Sequence, residues 1–327
     1  MKDALIATIT LNPSLDQHIT VDGLVMDGTN RWSRLHRYAG GKGIDVSRAI
    51  HEMGGRTVAY GFIGGPVGRA VEILLDEEEV PFSFTPVQRE TRTNFIITDS
   101  KTSKQTRIDA PGPHISKGEF ERFQRKMLRM RPSPDLIVAG GSLPPGIPND
   151  VYYSMITEAK TFGVRVILDS DAQWLAEGIK AKPYLVKPNV REAEELLGRE
   201  LPDEDAIIKG ALDIVEMGVE IAVISRGKEG IIAATSNEVL SAIPPEVKVK
   251  SAVGAGDCTI AGLALKLANE ESLSKACRLA VALGTAAALT PGTELARRSD
   301  VMELLPQVKV RKINPSRLSK IIAGQRD

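Results

Sequence analysis

Apolar and polar residues follow two rhythms along this chain, one typical of strands and one typical of helices. Short apolar runs such as residues 5–10 have the length of a buried strand, whereas segments 190–197 and 204–217 repeat apolar residues at the spacing of one helix face. From residue 119 onward the two kinds of segment alternate regularly. Strands that alternate with helices build a parallel sheet covered by helices on both faces. The pattern predicts one doubly wound α/β domain over residues 1–327.

Two stretches break this rhythm. Residues 18–38 and 93–108 contain β-type segments whose polar and basic groups fall at both alternating positions. Because side chains alternate between the two faces of a strand, neither face of such a segment suits a buried core. Such strands are typical of a lid or a subunit interface. We therefore expect a small β lid formed by about residues 14–38 and 92–109.

A glycine-rich turn near the end of the chain is a candidate phosphate site. Gly254 and Gly256 lie where a strand-like segment gives way to a long Ala- and Leu-rich helical pattern. Unpaired amides at a helix start, together with the helix dipole, favour an anion, and glycine lets a phosphate approach the backbone closely. The turn therefore predicts an anion site.

Asp257 would stand at the mouth of this anion site. A carboxylate repels a phosphate, so its presence there needs an explanation. The simplest is that Asp257 accepts a proton from an attacking hydroxyl during phosphoryl transfer, while glycine amides hold the developing charge. The alternative is a Gly-Asp pair that only caps the helix.

Three other glycine-rich turns fall at predicted ends of strands. Residues 40–43 open a helix, residues 140–146 follow a strand, and Ser225-Arg226-Gly227 with Gly230 occupies a similar strand end. Ligands of open α/β sheets bind at the carboxyl ends of the strands. Residues 40–43, together with the turn at Gly254 and Gly256, would suit a site for two anionic or polyhydroxy ligands. Each of the three turns is also compatible with a plain turn, connecting loop or hairpin.

Asn189 and Glu192 lie three residues apart at the start of a predicted helix and share one face. Their oxygens could orient water around a Mg²⁺ ion that bridges nucleotide phosphates, because Mg²⁺ usually keeps much of its water. The same spacing is that of a capping box, in which each residue satisfies the other's backbone amide. The spacing alone leaves both readings open.

Several arginines lie in the predicted lid. A lid that closes over a phosphate needs donors of this kind, although charged residues on exposed strands also protect sheet edges. These arginines are Arg31, Arg34, Arg37 and Arg92.

The composition narrows the class of ligand. Lys and Arg together number 42, as do Asp and Glu, so no net charge points to nucleic acid or to an anionic membrane. The two cysteines and four histidines form no metal-ligand pattern. The N-terminal residues lack a signal-peptide core, and no apolar run is long enough to span a bilayer. We expect a small-molecule partner and a reduced, cytoplasmic protein.

Together, these motifs resemble the PfkB (ribokinase-like) carbohydrate kinases over nearly the whole chain. Residues 40–43 resemble the first signature of the family, and residues 253–257 resemble the second. Residues 10–16, 141–146 and 185–189 are similar to the branch that acts on hexose phosphates: 1-phosphofructokinase, tagatose-6-phosphate kinase and the minor 6-phosphofructokinase.

The resemblance implies a three-layer αβα domain, a β lid that pairs with the lid of a second subunit in a homodimer, and a reaction that uses ATP and Mg²⁺. It also implies roles for individual residues. Asp257 would be the general base, with Gly254, Ala255 and Gly256 as the anion hole. Nucleotide contacts would come from Lys187, Asn189, Ser225, Gly227, Gly230 and Ser251, and Mg²⁺ would be held through water by Asn189 and Glu192. Substrate contacts would come from Asp16, Arg31, Gly40, Gly41, Asp45, Arg92 and Ser142.

Two positions depart from the family pattern. Asp45 stands where the family usually has an asparagine that touches the sugar, and Thr29 lies near the place where some members have a lysine for the sugar phosphate. An ionised carboxylate accepts hydrogen bonds but donates none. The leading hypothesis is a kinase of a sugar phosphate. The alternatives are a kinase of an unphosphorylated sugar, polyol or nucleoside, and a non-catalytic regulator on the same fold.

Overall fold

The computed structural model describes residues 3–130, 132–291 and 294–323. Over these residues the strands, numbered along the chain, are β1 (Leu5–Thr10), β2 (Ser14–Val21), β3 (Trp32–Gly40), β4 (Arg56–Ile63), β5 (Phe82–Pro86), β6 (Arg92–Asp99), β7 (Gln105–Ile108), β8 (Leu136–Gly140), β9 (Arg165–Asp169), β10 (Leu185–Val186), β11 (Ile221–Ser225), β12 (Ile231–Ala234), β13 (Val239–Ile243) and β14 (Lys309–Lys312).

The helices are α1 (Lys42–Glu52), α2 (Gly65–Glu77), α3 (Lys117–Met127), α4 (Val151–Thr161), α5 (Ala172–Ile179), α6 (Val190–Leu197), α7 (Glu204–Glu216), α8 (Ala255–Ala268), α9 (Leu273–Ala287), α10 (Arg298–Leu304) and α11 (Pro315–Ile322). Short 3-10 turns occur at Gly227–Glu229 and Leu305–Gln307.

The main sheet has ten strands in the order β14-β13-β12-β11-β10-β9-β8-β1-β4-β5. The seven strands from β11 to β5 in this order run parallel, and β12, β13 and β14 are antiparallel at one edge. Because β1 is an interior strand, third from the β5 edge, and β4 and β8 flank it, the chain winds outward in both directions from β1. This arrangement confirms the predicted doubly wound, mostly parallel α/β fold.

Helices cover both faces of the main sheet, and the alternation along β1 shows how. Ile6 packs into one core cluster with residues of α1, α8 and α9, whereas its neighbour Ala7 packs into a second cluster with residues of α4, α5 and α7. Strands buried on both faces need continuous apolar runs, and β1 has one. The three layers are therefore helix, sheet and helix.

The close packing of α8 on α9 fixes the direction of α8. A Cβ atom added at Gly262 would lie 2.5 Å from the Cα atom of Ala280, so only glycine allows the two helices to approach this closely. Since α8 carries Asp257 in its first turn, this contact helps to fix the height of that carboxylate above the sheet.

The lid is a separate four-stranded sheet in the order β3-β2-β6-β7. One of its faces carries Asp16 and Arg107, which line the large cavity described below. The other face, here called the outer lid face, carries five apolar side chains: Ile19, Leu35, Phe95, Ile97 and Ile108. The sequence predicted polar groups at both alternating positions, and the outer lid face does also carry Gln17, Arg37 and Thr106. The register of the strands gathers the five apolar side chains beside them on that face.

Within the described ranges, no helix has the length and apolar character needed to cross a membrane. The same residues contain no cluster of three or more His, Cys, Asp or Glu side chains arranged to hold a metal ion.

Candidate active site

A cavity of about 1660 Å³ lies between the carboxyl edge of the main sheet and the lid. The loops that follow β1, β8, β9, β10 and β11 end at this edge, and the N-termini of α1, α6 and α8 point into it. Most of the predicted site residues line this one cavity: Asp16, Gly41, Asp45, Arg92, Ser142, Lys187, Asn189, Glu192, Ser225, Gly227, Gly230, Gly254, Ala255, Gly256 and Asp257.

The glycine turn before α8 has the geometry that an anion site requires. Gly254 adopts φ of 78°, which is left-handed, and α8 begins at Ala255. This conformation is strained for other residues, so glycine is needed there. The amides in the first turn of α8 have no acceptor within the helix and face the cavity.

Asp257 lies in the first turn of α8 and is partly buried. Burial raises the pKa of its carboxyl from the ordinary 3.8 to about 7, opposed first by Lys42 and then by Lys187. A carboxylate that titrates near neutral pH is well matched to accept and release a proton.

Lys187 and Lys42 meet at a buried carboxylate. The Nζ atoms of both lysines lie 3.5 Å from Oδ1 of Asp169, which ends β9. Burial alone would raise the pKa of Asp169, but Lys187 and Lys42 outweigh it and lower that pKa. A Cβ atom added at Gly256 would lie 3.7 Å from Nζ of Lys187, so the glycine turn and this lysine face the same space.

Asp16 of the lid is held in the cavity wall by several contacts. Its Oδ1 atom accepts hydrogen bonds from Ser14 Oγ at 2.7 Å and from Asn94 Nδ2 at 3.0 Å. A Cβ atom added at Gly40 would lie 2.6 Å from the Asp16 carboxyl carbon. Gly40 therefore acts by leaving room for Asp16, and it does not itself line the cavity.

Asp45 is 5% exposed and accepts a hydrogen bond from Arg48 Nη1 at 3.3 Å. Arg48 is shared, because its Nε and Nη2 atoms also bind both oxygens of Glu78, at 2.6 and 2.8 Å. Burial and then the charge of Asp257 raise the pKa of Asp45 well above its ordinary value, although Arg48 opposes them. Asp45 therefore carries a proton over a wider pH range than an exposed carboxyl.

Arg92 connects the lid to the main sheet. Its Nη1 atom donates to the carbonyl of Ala110 at 2.8 Å, and its Nη2 atom donates to the carbonyl of Asn12 at 2.9 Å. Asn12 in turn donates from Nδ2 to Ser142 Oγ at 3.1 Å. Two of the three nitrogen atoms of this guanidinium are thus used inside the chain, and the third, Nε, is buried without a hydrogen bond to any described residue.

Asn189 and Glu192 form a capping box at the start of α6. The Glu192 amide donates to Asn189 Oδ1, and the Asn189 amide donates to Glu192 Oε2, each at 2.9 Å. Both side chains also line the cavity. The capping box uses Oε2 of Glu192 and does not use Oε1. Capping of α6 by Glu192 is therefore compatible with metal binding by the same side chain.

Ser225, Gly227 and Gly230 line the cavity after β11, and the same cavity also has apolar lining residues. A Cβ atom at Gly230 would lie 2.0 Å from the carbonyl oxygen of Ala242, so the hairpin requires glycine there. The apolar lining residues include Ile243, Val247, Val249, Val281 and Ala288.

Besides Gly40, two predicted site residues lie outside the cavity lining. Arg31 is exposed just before β3, and Ser251 is buried with its Oγ accepting a hydrogen bond from the Val253 amide at 3.2 Å. Conversely, sequence reasoning did not assign Lys42, Asp169 or Arg107, which the fold brings to the site. Lys42 lies inside the glycine motif at residues 40–43, which the sequence analysis singled out. At Asp169 the only signal in the sequence is a carboxylate at the end of a predicted strand.

The cavity combines an amide-lined turn with a neighbouring carboxyl group whose pKa is about 7. It also contains two lysines and has room for a nucleotide. Together these features define a phosphotransferase on a doubly wound sheet. A family model described as pfkB family carbohydrate kinase matches residues 9–300. The chain belongs to this family, as the sequence motifs predicted.

Individual relatives agree with this assignment. The chain is 34% identical to 1-phosphofructokinase of Bacillus subtilis over 309 residues, covering 94% of this chain and 100% of that protein. It is 32% identical to tagatose-6-phosphate kinase of Staphylococcus epidermidis, covering 94% and 99%. The crystal structure of phosphofructokinase-2 from Escherichia coli with substrates and products is similar, with a TM-score of 0.89, 34% identity, and coverage of 92% of this chain and 98% of that one.

Proposed function

We propose that this carbohydrate kinase transfers the γ-phosphoryl group of ATP to a hydroxyl of a hexose phosphate. The observation that carries the proposal is the placement of Asp257, whose pKa near 7 and position in the first turn of α8 put a base directly beside an anion-binding turn. A regulator that only binds its ligands has no need of a titrating carboxylate at this point.

The residues divide the reaction between them. The Asp257 carboxylate takes the proton of the attacking hydroxyl, a bond forms between that oxygen and the γ-phosphorus, and the bond to the departing ADP oxygen breaks, leaving its electron pair on ADP. The first-turn amides after Gly254 stabilise the charge on the transferred group. Lys187 holds the nucleotide phosphates beside that turn.

Mg²⁺ fits the nucleotide side of the cavity. Such ions bind through one or two carboxylates, water and substrate phosphates, and Glu192 keeps one carboxylate oxygen outside its capping box. Glu192 and Asn189 would hold the ion through water. When bound, Mg²⁺ supplies positive charge that neutralises the phosphates.

The acceptor is a hexose phosphate in this proposal because the relatives above are named for such substrates. An anionic acceptor would meet Arg107 of the lid, which lines the cavity, is half exposed and is paired with Asp109 at 2.7 Å. Asp16 and Asp45 supply acceptors for sugar hydroxyls. The Asp16 carboxylate, and Asp45 in its ionised form, also favour the second candidate, a neutral sugar, polyol or nucleoside, which they would not repel.

We further propose that two chains form a homodimer through the outer lid face. Phe95 is 36% exposed and Ile108 is 54% exposed, and they pair directly across β6 and β7. A contiguous apolar face of this kind on a small sheet is commonly covered in a complex. Because the opposite face carries site residues, pairing of the lids would hold those residues over the cavity.

Cytoplasmic location is part of the same proposal. The two cysteines, Cys258 and Cys277, are both unpaired and buried, and the reaction needs a supply of ATP.

The proposal is tested by measuring ADP release from Mg-ATP. The acceptors are fructose 6-phosphate, fructose 1-phosphate, tagatose 6-phosphate and a panel of unphosphorylated sugars, polyols and nucleosides. Turnover with a phosphorylated hexose supports the proposal. Turnover confined to neutral acceptors would favour the second candidate, and absence of turnover with every acceptor would contradict both.

A further inference from the structure

Arg226 is a buried cation that follows β11 and lines the large cavity. Its side chain is 4% exposed, and its Nη1 atom donates to Glu204 Oε2 at 3.0 Å. The carboxylate of Glu229 lies farther away, at 3.9 Å, and is 64% exposed, so water screens most of its charge. A buried charge is costly unless it is paired. Glu204 is therefore the main counter-charge of Arg226.

Through Arg226, Glu204 holds the turn of residues 227–230. The Nη2 atom of Arg226 donates to the carbonyl of Glu229 at 2.8 Å, and the Arg226 amide donates to the carbonyl of Gly230, also at 2.8 Å. Packing adds little at the start of the turn, since a Cβ atom added at Gly227 would meet no other described atom within 4 Å beyond its chain neighbours. The conformation of this turn therefore depends on the contacts of Arg226.

The second oxygen of Glu204 is bound to β14 and α11, here called the C-terminal segment. Arg311 of β14 donates from Nη2 to Glu204 Oε1 at 2.7 Å, and Nη1 of Arg317 in α11 lies 3.1 Å from the same oxygen. Arg311 also pairs with Ser241 across β13 and β14, and Ser241 Oγ lies 3.5 Å from Arg226 Nη2. Glu204 thus connects the turn at 227–230 to two elements from the end of the chain.

Apolar packing keeps the C-terminal segment beside Glu204. Ile313 and Ile321 are buried in the same core cluster as Ile207 and Ile208 of α7. Because α7 begins at Glu204, this packing brings α11 next to the carboxylate.

The same contacts keep Glu204 ionised. Burial would raise the pKa of its carboxyl, but the hydrogen bond from Arg226 and the charge of Arg311 outweigh burial and lower that pKa. Glu204 therefore carries its negative charge at neutral pH, as a counter-charge must.

We propose that Glu204 is a positioning residue for the nucleotide, which holds the turn at 227–230 through Arg226 and ties that turn to the C-terminal segment. This inference rests on the proposed function, in which Ser225, Gly227 and Gly230 contact the nucleotide. It gives the C-terminal segment a part in nucleotide affinity.

The benefit of this arrangement is preorganisation. A turn that is already held in its bound conformation loses less conformational freedom when a ligand binds. Without the Glu204 carboxylate, Arg226 would be an unpaired buried charge and would move toward water in the cavity that it lines. The turn would then lose the contacts that hold it, and nucleotide binding would weaken. Charge alone predicts the opposite result, because removal of a carboxylate from the cavity wall favours an anionic ligand.

The test compares Glu204→Gln with the wild-type protein by titration calorimetry with Mg-ADP, which binds without turnover. We expect the Kd for Mg-ADP to rise about tenfold, while kcat at saturating substrates stays within about threefold. A residue that only stabilises the fold would lower the melting temperature and leave the Kd of the folded protein unchanged. Glu238→Gln is the matched control, since Glu238 pairs with Lys312 of β14 at 3.0 Å and lies outside the cavity lining. It should change the Kd by less than about twofold.

Arg311→Met tests the link to the C-terminal segment. The Arg311 side chain is 52% exposed, so the fold should tolerate the change. The Kd for Mg-ADP should rise about threefold in the wild-type background, as loss of a partly exposed ion pair allows. It should not rise further in the Glu204→Gln background, where that pair is already broken. Equal effects in the two backgrounds would overturn the link.

A Kd for Glu204→Gln equal to or below that of the wild type would overturn the inference and leave the proposed function intact. If Glu204→Gln does not fold, the change is made together with Arg226→Met, which removes the buried cation. Relative to Arg226→Met alone, the added change should leave the Kd unchanged or lower it, and a rise would show that Glu204 does not act through Arg226.

The wild-type protein separates this inference from the proposed function. Binding of Mg-ADP without turnover of any acceptor would overturn the proposed kinase reaction, and the comparison of Kd values would still decide the role of Glu204. Absence of Mg-ADP binding would overturn both.

Discussion

At the scale of single residues, Asp257 shows that the site is tuned at the expense of stability. A carboxyl whose pKa is raised by folding favours the folded state only while it is protonated. The stability it contributes is therefore lost as the pH rises from about 4, the unfolded value, through its folded pKa of about 7. Above that pH the folded protein carries a poorly solvated charge, which is the form that the proposed reaction requires.

Asp257→Asn is expected to abolish most turnover and yet stabilise the protein at alkaline pH. The melting temperature at about pH 8 should rise by about 2 °C or more, and the difference should vanish below about pH 3, where the wild-type carboxyl is protonated in both states. Thermal unfolding followed at several pH values measures this. Equal melting temperatures at pH 8 would show that Asp257 is not destabilised by burial.

Asp45→Asn tests whether Asp45 works in its protonated form. Burial and the nearby Asp257 raise the pKa of Asp45 well above its ordinary value, and an amide has the shape of a protonated carboxyl. The variant should keep kcat/KM within about fivefold near pH 6.5 and should surpass the wild type as the pH rises and Asp45 ionises in the wild type alone. Asp16→Asn is the contrasting variant, because the wild-type Asp16 side chain acts as an acceptor and already accepts two hydrogen bonds. A loss of more than about tenfold for Asp45→Asn at every pH would mean that the carboxylate itself binds the acceptor.

At the scale of elements, α6 shows how one helix start can serve both folding and function. Glutamine can replace Glu192 in a capping box, so Glu192→Gln should leave the free energy of unfolding nearly unchanged while removing the charge that faces the cavity. The Mg²⁺ concentration that gives half-maximal activity should then rise about tenfold.

Two further variants on α6 serve as controls. Glu192→Ala removes the cap as well, and it should also lose about 1 kcal/mol of stability. Glu195→Gln changes a half-exposed glutamate on the same helix, which pairs with Arg191, and should leave the Mg²⁺ requirement unchanged. An unchanged Mg²⁺ requirement in Glu192→Gln would leave the capping box as the whole role of this residue.

The elements that the sequence predicted are those with a strong local pattern. Helix α6 was predicted over 190–197, as observed, because its apolar stripe and cap are encoded in adjacent residues. Strand β14 was missed because its residues, Lys-Val-Arg-Lys, are those of an exposed edge strand and lack a buried strand's apolar run. Helix α5 was missed because its eight residues fill a short connection between two buried strands.

The same reason explains which parts of the site could be predicted. Glycine turns such as the one at Gly254 reveal themselves because backbone geometry demands the residue. The meeting of Lys42 with Asp169 depends on the order of strands in the sheet, which brings the end of β9 under the start of α1. No spacing in the sequence links two residues so far apart along the chain.

At the scale of the whole molecule, the lid links the active site to assembly. Its inner face carries Asp16 and Arg107, and Arg92 links the lid to the segment after β1 by donating to the carbonyl of Asn12 as well as to that of Ala110. On the outer lid face, Phe95 and Ile108 are 36% and 54% exposed in the single chain. Covering that face would restrict the lid without touching the cavity, so the oligomer and the acceptor affinity should change together.

Phe95→Glu is expected to separate the two chains of the proposed dimer. The side chain is partly exposed in the single chain, so the charge is tolerated there but would be buried and unpaired in the interface. Sedimentation of the wild type at micromolar concentration should show a dimer. In the variant the dissociation constant of the dimer should be about 100-fold higher or more. The KM for the acceptor should rise with dissociation, because the lid loses its support.

Ile73→Glu, on the exposed surface of α2 and 44% exposed, is the matched control and should assemble as the wild type does. A wild-type protein that sediments only as a monomer, or a Phe95→Glu variant that remains dimeric, would show that the outer lid face has another role.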